Sequence, residues 1–579
     1  MDEMLFSDII AKNKEISTQL VGPECKIRII SNIMSFQLND ILEFTLRDQG
    51  VNAVVTSGNY DNILQDSFEC VEVSVVVVFW EIANLIDGFH YKAVLMDKEL
   101  RGALVEKTKR EISKVLNNLD GVRQVFFNSF SSLAFDCHCF DKSPLTEITV
   151  ELNKHLNECA SSNVVIVDIN KLFAIVSISK SVDFRYYYYS KSLYKIEFYR
   201  KYVKYIAPKI LSTWGLTKKA LIFDCDNTLW KGIIGEDGME GIDMSSGSAT
   251  GVVFAEIQHL ALELKNMGVI LGLCSKNNEE DIDMVFSHAD MKLRESDIAF
   301  KRINWNNKVA NIVEMANELN IDISSIVFID DSDFEINLLK KELPQVMTIQ
   351  VPKQLSEYPQ ILRSLFPVFT VNSRSMEDVN RSSMYHDEKR RKELKATFND
   401  IEQYLSYLKQ KIKIIKDDLT LVPRLAQLSQ KTNQFNLTTK RFTELEMERY
   451  IKGSSEKVFC FNLSDNFGDY GITGLCIIVN CGRDVLECSI NTFLISCRVI
   501  GRNVEFVFMD YILKHLLNSG IKQLNAEYVA TAKNSQVENF YEKFGFIQVS
   551  SGTKHKTYEL DLHKYKWSGI DYVEVENGR

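Results

Sequence analysis

The stretch LIFDCDNTLWKGIIGEDG, Leu221 to Gly238, decides how the chain is read. Leu221, Ile222 and Phe223 carry the chain up a buried strand. Asp224 follows at its carboxyl end, where open α/β sheets place their ligands. Asp226 stands two residues on, so both carboxylates are expected in one crevice. Carboxylates that close repel unless a cation lies between them. Magnesium, a hard ion that takes oxygen ligands, suits that place. Asp224 can then attack phosphorus, and Asp226 can protonate the leaving oxygen and later activate water. The Thr228 hydroxyl can donate to phosphoryl oxygens. Alone, this DxDxT pattern fits an ordinary strand-to-turn junction equally well.

Three other segments break the tie. SKNN (Ser275–Asn278) follows a strand read at Val269–Cys274, so Ser275 can donate to phosphate. Lys308 opens a helix after INWNN (Ile303–Asn307) and can set a positive charge against the transition state. FIDD (Phe328–Asp331) ends a further strand, where Asp330 or Asp331 can complete a metal site. Each segment follows a strand of one sheet or opens a helix between two, an order hard to obtain by chance.

Outward from this core, the strands Ala220–Phe223, Val269–Cys274, Ile326–Ile329 and Val346–Val351 alternate with helices Phe254–Met267, Lys308–Leu319 and Phe334–Leu343. Upstream, residues 26–215 alternate in the same way. Strands are expected at Lys26–Ile30, Ala53–Thr56, Val73–Phe79, Arg123–Phe127 and Val164–Asp168, with helices such as Leu100–Leu119 and Leu145–Glu158. Both patterns predict parallel sheets covered by helices. The aromatic run Asp183–Tyr194 leads into a helix ending near Leu211. Pro352 and the charged stretch Met376–Lys395 read as a linker and a polar helix. Beyond them, strands at Val458–Leu463, Gly474–Val479 and Leu486–Leu494 follow one another before a helix at Val504–Leu517, an α+β pattern.

A chain of 579 residues exceeds one hydrophobic core, so two to four domains are expected. A net charge of −10 argues against broad nucleic-acid binding. The start lacks a secretory signal, and the most apolar run, Val73–Trp80, is too short to span a bilayer. Twelve cysteines in so long a chain are not a disulfide scaffold. Cys137 and Cys139 have no second pair at zinc-ligand spacing. A cytoplasmic protein with reduced thiols, no membrane and no nucleic-acid partner is the expectation.

The four motifs between Lys219 and Val351 resemble those of the haloacid dehalogenase superfamily. Their wording (DNTLWKGIIGEDG, CSKNNEEDI, INWNNKVANI, FIDDSDFE) is similar to the FkbH family of its subfamily IIIC. The likeness continues through Arg424–Phe442, Phe467–Gly474, Ile490–Glu505 and Thr531–Phe546. It implies an SGNH-hydrolase-like, flavodoxin-like and non-catalytic domain over 1–215. A Rossmann-like phosphoryl-transfer domain would span 216–370, a linker and polar helix 371–415, and a GNAT acyltransferase-like domain 416–579. It makes Asp224 the nucleophile and Asp226 the acid/base. Magnesium would be held by Asp224, the backbone carbonyl of Asp226, and Asp330 or Asp331. The short connection after Asp224 leaves no room for a large cap, and an uncapped site usually takes a substrate carried on a macromolecule.

The implied reaction is that of a transferase-phosphatase. It would dephosphorylate 1,3-bisphosphoglycerate and load the glyceryl unit onto the phosphopantetheine thiol of an acyl carrier protein, as in polyketide-type biosynthesis. A cysteine at the site would help the acyl step. Cys274, directly before Ser275, is the best placed, with Cys497 a weaker candidate; a small buried hydrophobe is the bland reading. Cys225 is expected to point away. Arg498–Asn503 (RVIGRN) resembles the pyrophosphate loop that holds coenzyme A in GNAT enzymes, with Arg498, Gly501, Arg502 and Asn503 in the loop. Asn503 replaces the usual last small residue. Tyr541 is either a general acid of that fold or a core residue. At the start of the chain, Ser31–Met34 (SNIM) stands where a hydrolase serine would be, without the usual Gly-Asp-Ser and with no later Asp-x-x-His, so a scaffold or docking role is expected. A plain phosphatase and a coenzyme A-dependent acyltransferase remain the alternatives.

Overall fold

The computed structural model describes residues 4–20, 23–136, 143–319, 321–369, 391, 394, 398, 400–482, 485–531, 533–552, 555–566 and 569–577. Cys137, Cys139 and most of Met376–Lys395 lie outside the described residues. The chain packs as two compact units. One holds Met1–Trp214 with Thr443–Leu445, the other Gly215–Phe442 with Glu446–Arg579.

The first unit is built on a parallel sheet of β1 (Cys25–Ser31), β2 (Ala53–Ser57), β3 (Val75–Phe79), β4 (Gln124–Asn128) and β5 (Val164–Val167), in the order β2-β1-β3-β4-β5. That order is the doubly wound, flavodoxin-like one. β3 and β4 are buried along their whole length, as expected of central strands with helices on both faces. The helices expected at Leu100–Leu119 and Leu145–Glu158 run Lys98–Asn118 and Pro144–Cys159, each capped by the side chain of the residue before it, Asp97 and Ser143. Ser31 ends β1, and its hydroxyl donates to the Phe79 carbonyl and accepts from the Ile33 N–H. Both bonds tie it to backbone.

In the second unit, β6 (Ala220–Phe223), β7 (Ile270–Ser275), β8 (Phe300–Ile303), β9 (Ile326–Asp330) and β10 (Met347–Gln350) form another parallel sheet, ordered β10-β9-β6-β7-β8. The order reverses between β6 and β9, so a crevice opens at their carboxyl ends. β8 was not expected from sequence. Its four residues, FKRI, show two half-buried cations at a sheet edge and too little apolar character to stand out.

The third sheet is mixed: β11 (Gln410–Lys416), β12 (Lys457–Asp465), β13 (Gly468–Val479), β14 (Glu487–Ile495), β15 (Gln523–Val529), β16 (Ile547–Ser551), β17 (His555–Asp561) and β18 (Val573–Asn577). They are ordered β16-β17-β15-β14-β13-β12-β11-β18. β11 corrects the expected linker at 371–415. The residues QKIKIIK alternate buried and exposed and pair with β12 and β18. The lysines give the stretch a linker's charge, while the isoleucines face the core. Among the described residues, no helix is long and apolar enough to cross a membrane.

Candidate active site

The crevice at the carboxyl ends of β6 and β9 gathers the motif residues. Asp224 follows β6 and Asp330 ends β9, and both are buried. The Lys308 ammonium, at the start of helix Lys308–Leu319, donates to Asp224 Oδ1 at 2.6 Å and to Asp330 Oδ2 at 2.7 Å. Burial alone would lower a lysine, but the two carboxylates outweigh it and raise Lys308. Burial raises Asp224, with Lys308 acting against the rise. Burial and the neighbouring Asp330 raise Asp331.

Asp226 is turned to a different set of partners. Its Oδ1 accepts from Trp230 Nε1 and from the Ile234 N–H, each at 3.0 Å, and its Oδ2 accepts from Asn277 Nδ2 at 2.9 Å. Three donors lock the carboxylate in one orientation. The same Asn277 amide donates to Ser275 Oγ at 3.1 Å, and Ser275 stands close enough to Asp224 to favour its charged form. Asn277 is thus a site residue that sequence reasoning passed over. The signal was present in SKNN, but attention went to its serine. The turn between the two aspartates and the next helix is closed by Asn227, which takes a left-handed φ of 52° and accepts from the Gly232 N–H.

Magnesium fits this arrangement. Oxygens of Asp224, Asp330 and Asp331 lie within 4.8 Å of one another, a hard all-oxygen donor set. The Asp226 carboxylate stands outside that group, which leaves its backbone carbonyl as the contribution expected of it. Thr228 is wholly buried and its hydroxyl has no hydrogen-bond partner. A buried orphan of this kind is a group that a bound oxyanion could satisfy.

Cys274 corrects the expectation of an acyl carrier. It is 0% exposed and packed with Ile222, Ile270 and Ile312, and burial pushes its thiol up to about 12. A thiol held protonated in the core is a poor nucleophile. Cys225 is equally buried and raised well above the ordinary thiol range, first by burial. Cys497 is half-buried beside the Arg498–Asn503 loop.

The third sheet holds the loop expected to take coenzyme A. Arg498–Asn503 does lead into helix Val504–Asn518, but its side chains are engaged by the protein. Arg502 is buried, paired with Asp465 at 3.2 Å and bonded to the Tyr470 hydroxyl. Asn503 Nδ2 donates to Tyr572 Oη at 2.6 Å, and Arg498 Nε to Ser496 Oγ at 3.3 Å. Gly501 alone stays exposed, in the left-handed region at φ 80°. Tyr541 is wholly buried, its hydroxyl partnerless and raised well above the ordinary range by burial, so it is a core residue and no general acid.

The gap beside β14 is filled as well. β14 and β15 pair over only three residues, Glu487–Ser489 with Gln523–Asn525, and then diverge. Phe435–Leu437 occupies the opening. The Leu437 N–H donates to the Phe493 carbonyl at 3.1 Å, the Ile495 N–H to Phe435 at 2.9 Å and the Val529 N–H to Leu437 at 2.8 Å. The backbone groups that an amide-bearing pantetheine arm would need are taken by the chain itself.

No family model matches the chain, and no curated protein matches it. Among solved structures it is similar to the N-terminal part of the protein BF1531 from Bacteroides fragilis, which contains a phosphatase domain complexed with Mg. The TM-score is 0.55 at 24% identity, covering 64% of this chain and 100% of that one. At that identity the likeness is one of fold. Likenesses to the ribosomal-protein-S18-alanine N-acetyltransferase from Escherichia coli (TM-score 0.21, 15% identity, 28% of this chain and 97% of that one) and to Ard1 from Thermoplasma volcanium (0.21, 16%, 26% and 97%) score too low to carry an assignment.

Proposed function

We propose that the second unit is a magnesium-dependent phosphoryl-transfer enzyme with Asp224 as nucleophile. The observation that carries this reading is the Lys308 ammonium seated between Asp224 and Asp330 beside a separately oriented Asp226. Asp224 attacks phosphorus, and the bond to the leaving oxygen breaks as that oxygen takes a proton from Asp226. Asp226 then removes a proton from water, which attacks the phosphoaspartate and releases phosphate. Lys308 and Ser275 hold Asp224 in place and face the charge that develops on the phosphoryl oxygens. Bound magnesium would offset the charge of the carboxylates and of the phosphoryl group as Asp224 approaches.

For the substrate, we favour a three-carbon acyl phosphate such as 1,3-bisphosphoglycerate. The phosphopantetheine thiol of an acyl carrier protein attacks the acyl carbon and expels the acyl phosphate as phosphate. Asp224 takes the phosphoryl group of the remaining phosphomonoester, leaving the glyceryl unit on the carrier. The resemblance of the motifs to the FkbH family supports that choice, while the burial of Cys274 favours direct attack by the carrier thiol over a relay through that cysteine. Incubation with 1,3-bisphosphoglycerate, magnesium and a phosphopantetheinylated carrier, followed by intact mass, tests it. A glyceryl increment on the carrier supports loading. Phosphate release with no increment reduces the activity to a phosphatase, and neither result leaves the reading without support.

A further inference from the structure

Two large aromatic side chains stand exposed at the rim of the phosphoryl site. Trp305 is 70% exposed and Phe334 69%. Trp305 lies two residues beyond the end of β8, and Phe334 four beyond the end of β9. With the sheet ordered β10-β9-β6-β7-β8, Trp305 follows the strand beyond the one carrying Ser275, and Phe334 follows the strand that carries Asp330.

Trp305 is presented rather than left loose. Its indole Nε1 donates to Asn278 Oδ1 at 3.3 Å. Asn278 is the neighbour of Asn277, which fixes Asp226, so one dipeptide orients both the acid/base carboxylate and the indole. The loop below is held by Asn304, whose N–H donates to the Ser275 carbonyl at 3.1 Å and whose Oδ1 accepts from Asn311 at 2.9 Å. Phe334 rides on the first turn of helix Asp333–Glu342, capped by Ser332.

The charges of this rim point one way. Lys308 is held by Asp224 and Asp330, Lys276 by Glu335 at 2.7 Å, and Lys231 donates to Asn227 at 3.1 Å. Glu280 and Asp281 open the helix after SKNN, beside a Glu279 held by Lys301 at 3.2 Å, and Asp331 and Asp333 follow β9. A mouth with this excess of carboxylates repels a second anionic group and offers aromatic faces to a neutral one.

Building on the phosphoryl-transfer reading, we infer that Trp305 and Phe334 are specificity residues that receive the non-reacting part of the substrate, and that this part is uncharged with an apolar face, as the thioester-linked end of a carrier-bound unit is once its acyl phosphate has left. The test compares two probes on the full chain, acetyl phosphate and phenyl phosphate, whose ring would extend toward this aromatic rim. The ratio of kcat/KM for phenyl phosphate over acetyl phosphate is expected to fall roughly five- to tenfold in Trp305→Ala and in Phe334→Ala, the size of an aromatic contact. The loss should fall on KM, and Trp305→Phe should restore much of it. A ratio that does not change, or a loss confined to kcat, overturns the inference. Unchanged melting curves separate either result from misfolding. If wild type turns over neither probe, the phosphoryl-transfer reading is at fault instead.

Discussion

The Lys308 ammonium lies 2.6 Å from Asp224 Oδ1, deep enough that both side chains are almost closed to solvent. The same ammonium holds Asp330, so it bridges the ends of two strands that flank the crevice. Removing it leaves two buried carboxylates facing each other. Lys308→Met is expected to lower phosphate release by roughly a hundred- to a thousandfold. It should also lower stability without metal by about 3–5 kcal/mol. Added magnesium should recover more stability in the variant than in wild type, because it replaces the missing positive charge. Thermal melts with and without magnesium check this.

A second buried ionic cluster sits in the third sheet. Asp465 accepts from Arg391 Nε and Nη2 at 2.9 and 2.8 Å and pairs with Arg502, with all three side chains nearly inaccessible. Burial pushes Asp465 up, but the Arg391 hydrogen bonds and charge outweigh it and hold the carboxyl below its ordinary range. Asp465→Asn removes the negative charge facing two buried guanidinium groups, so a loss on the order of 3–5 kcal/mol is expected in urea unfolding.

Tyr541 gives a prediction of opposite sign. Its hydroxyl is buried without a partner. Tyr541→Phe deletes an unsatisfied polar group and keeps the ring, so stability should rise by about 1–3 kcal/mol. Phosphate release should be untouched. A general-acid role would instead show as a loss of some acyl-transfer activity.

Glu81 of the first unit sets a pH dependence. Burial raises its carboxyl to about 7, against the Tyr194 hydroxyl and the Ala83 and Ile82 N–H groups that favour the charged form. The folded state therefore keeps a proton that the unfolded chain releases near the ordinary glutamate value. Its contribution is fully present below that ordinary value and is lost as pH rises through about 7. The fall is on the order of 3 kcal/mol. Glu81→Gln, which keeps an uncharged partner for Tyr194, should flatten that fall in chemical-denaturation series from pH 4 to 8.

Much of this was legible from sequence, for identifiable reasons. The central strands β3, β6 and β9 are runs of apolar residues with nothing to dilute them, and the four motifs each sit where a strand meets a loop. β11 was missed because lysines on its open face masked the alternation of a half-buried strand, and β8 because Lys301 and Arg302 fill the middle of a four-residue strand. The role of Asn277 depends on which way a side chain turns after a strand, and spacing does not encode that. Cys274 and Tyr541 looked chemically apt by position, yet they point into packed cores. The Arg498–Asn503 loop kept its place before a helix, while its arginine found an aspartate distant in sequence.

The account rests on Asp224 taking up a phosphoryl group, and acid-quenched labelling tests that most directly. The protein would be mixed with radiolabelled acetyl phosphate and magnesium, quenched within milliseconds to seconds, and digested. The label should appear on the peptide carrying Asp224, be lost on hydroxylamine treatment, and be absent in Asp224→Asn and in EDTA. Steady phosphate release by Asp224→Asn, or a label that maps elsewhere, would contradict it.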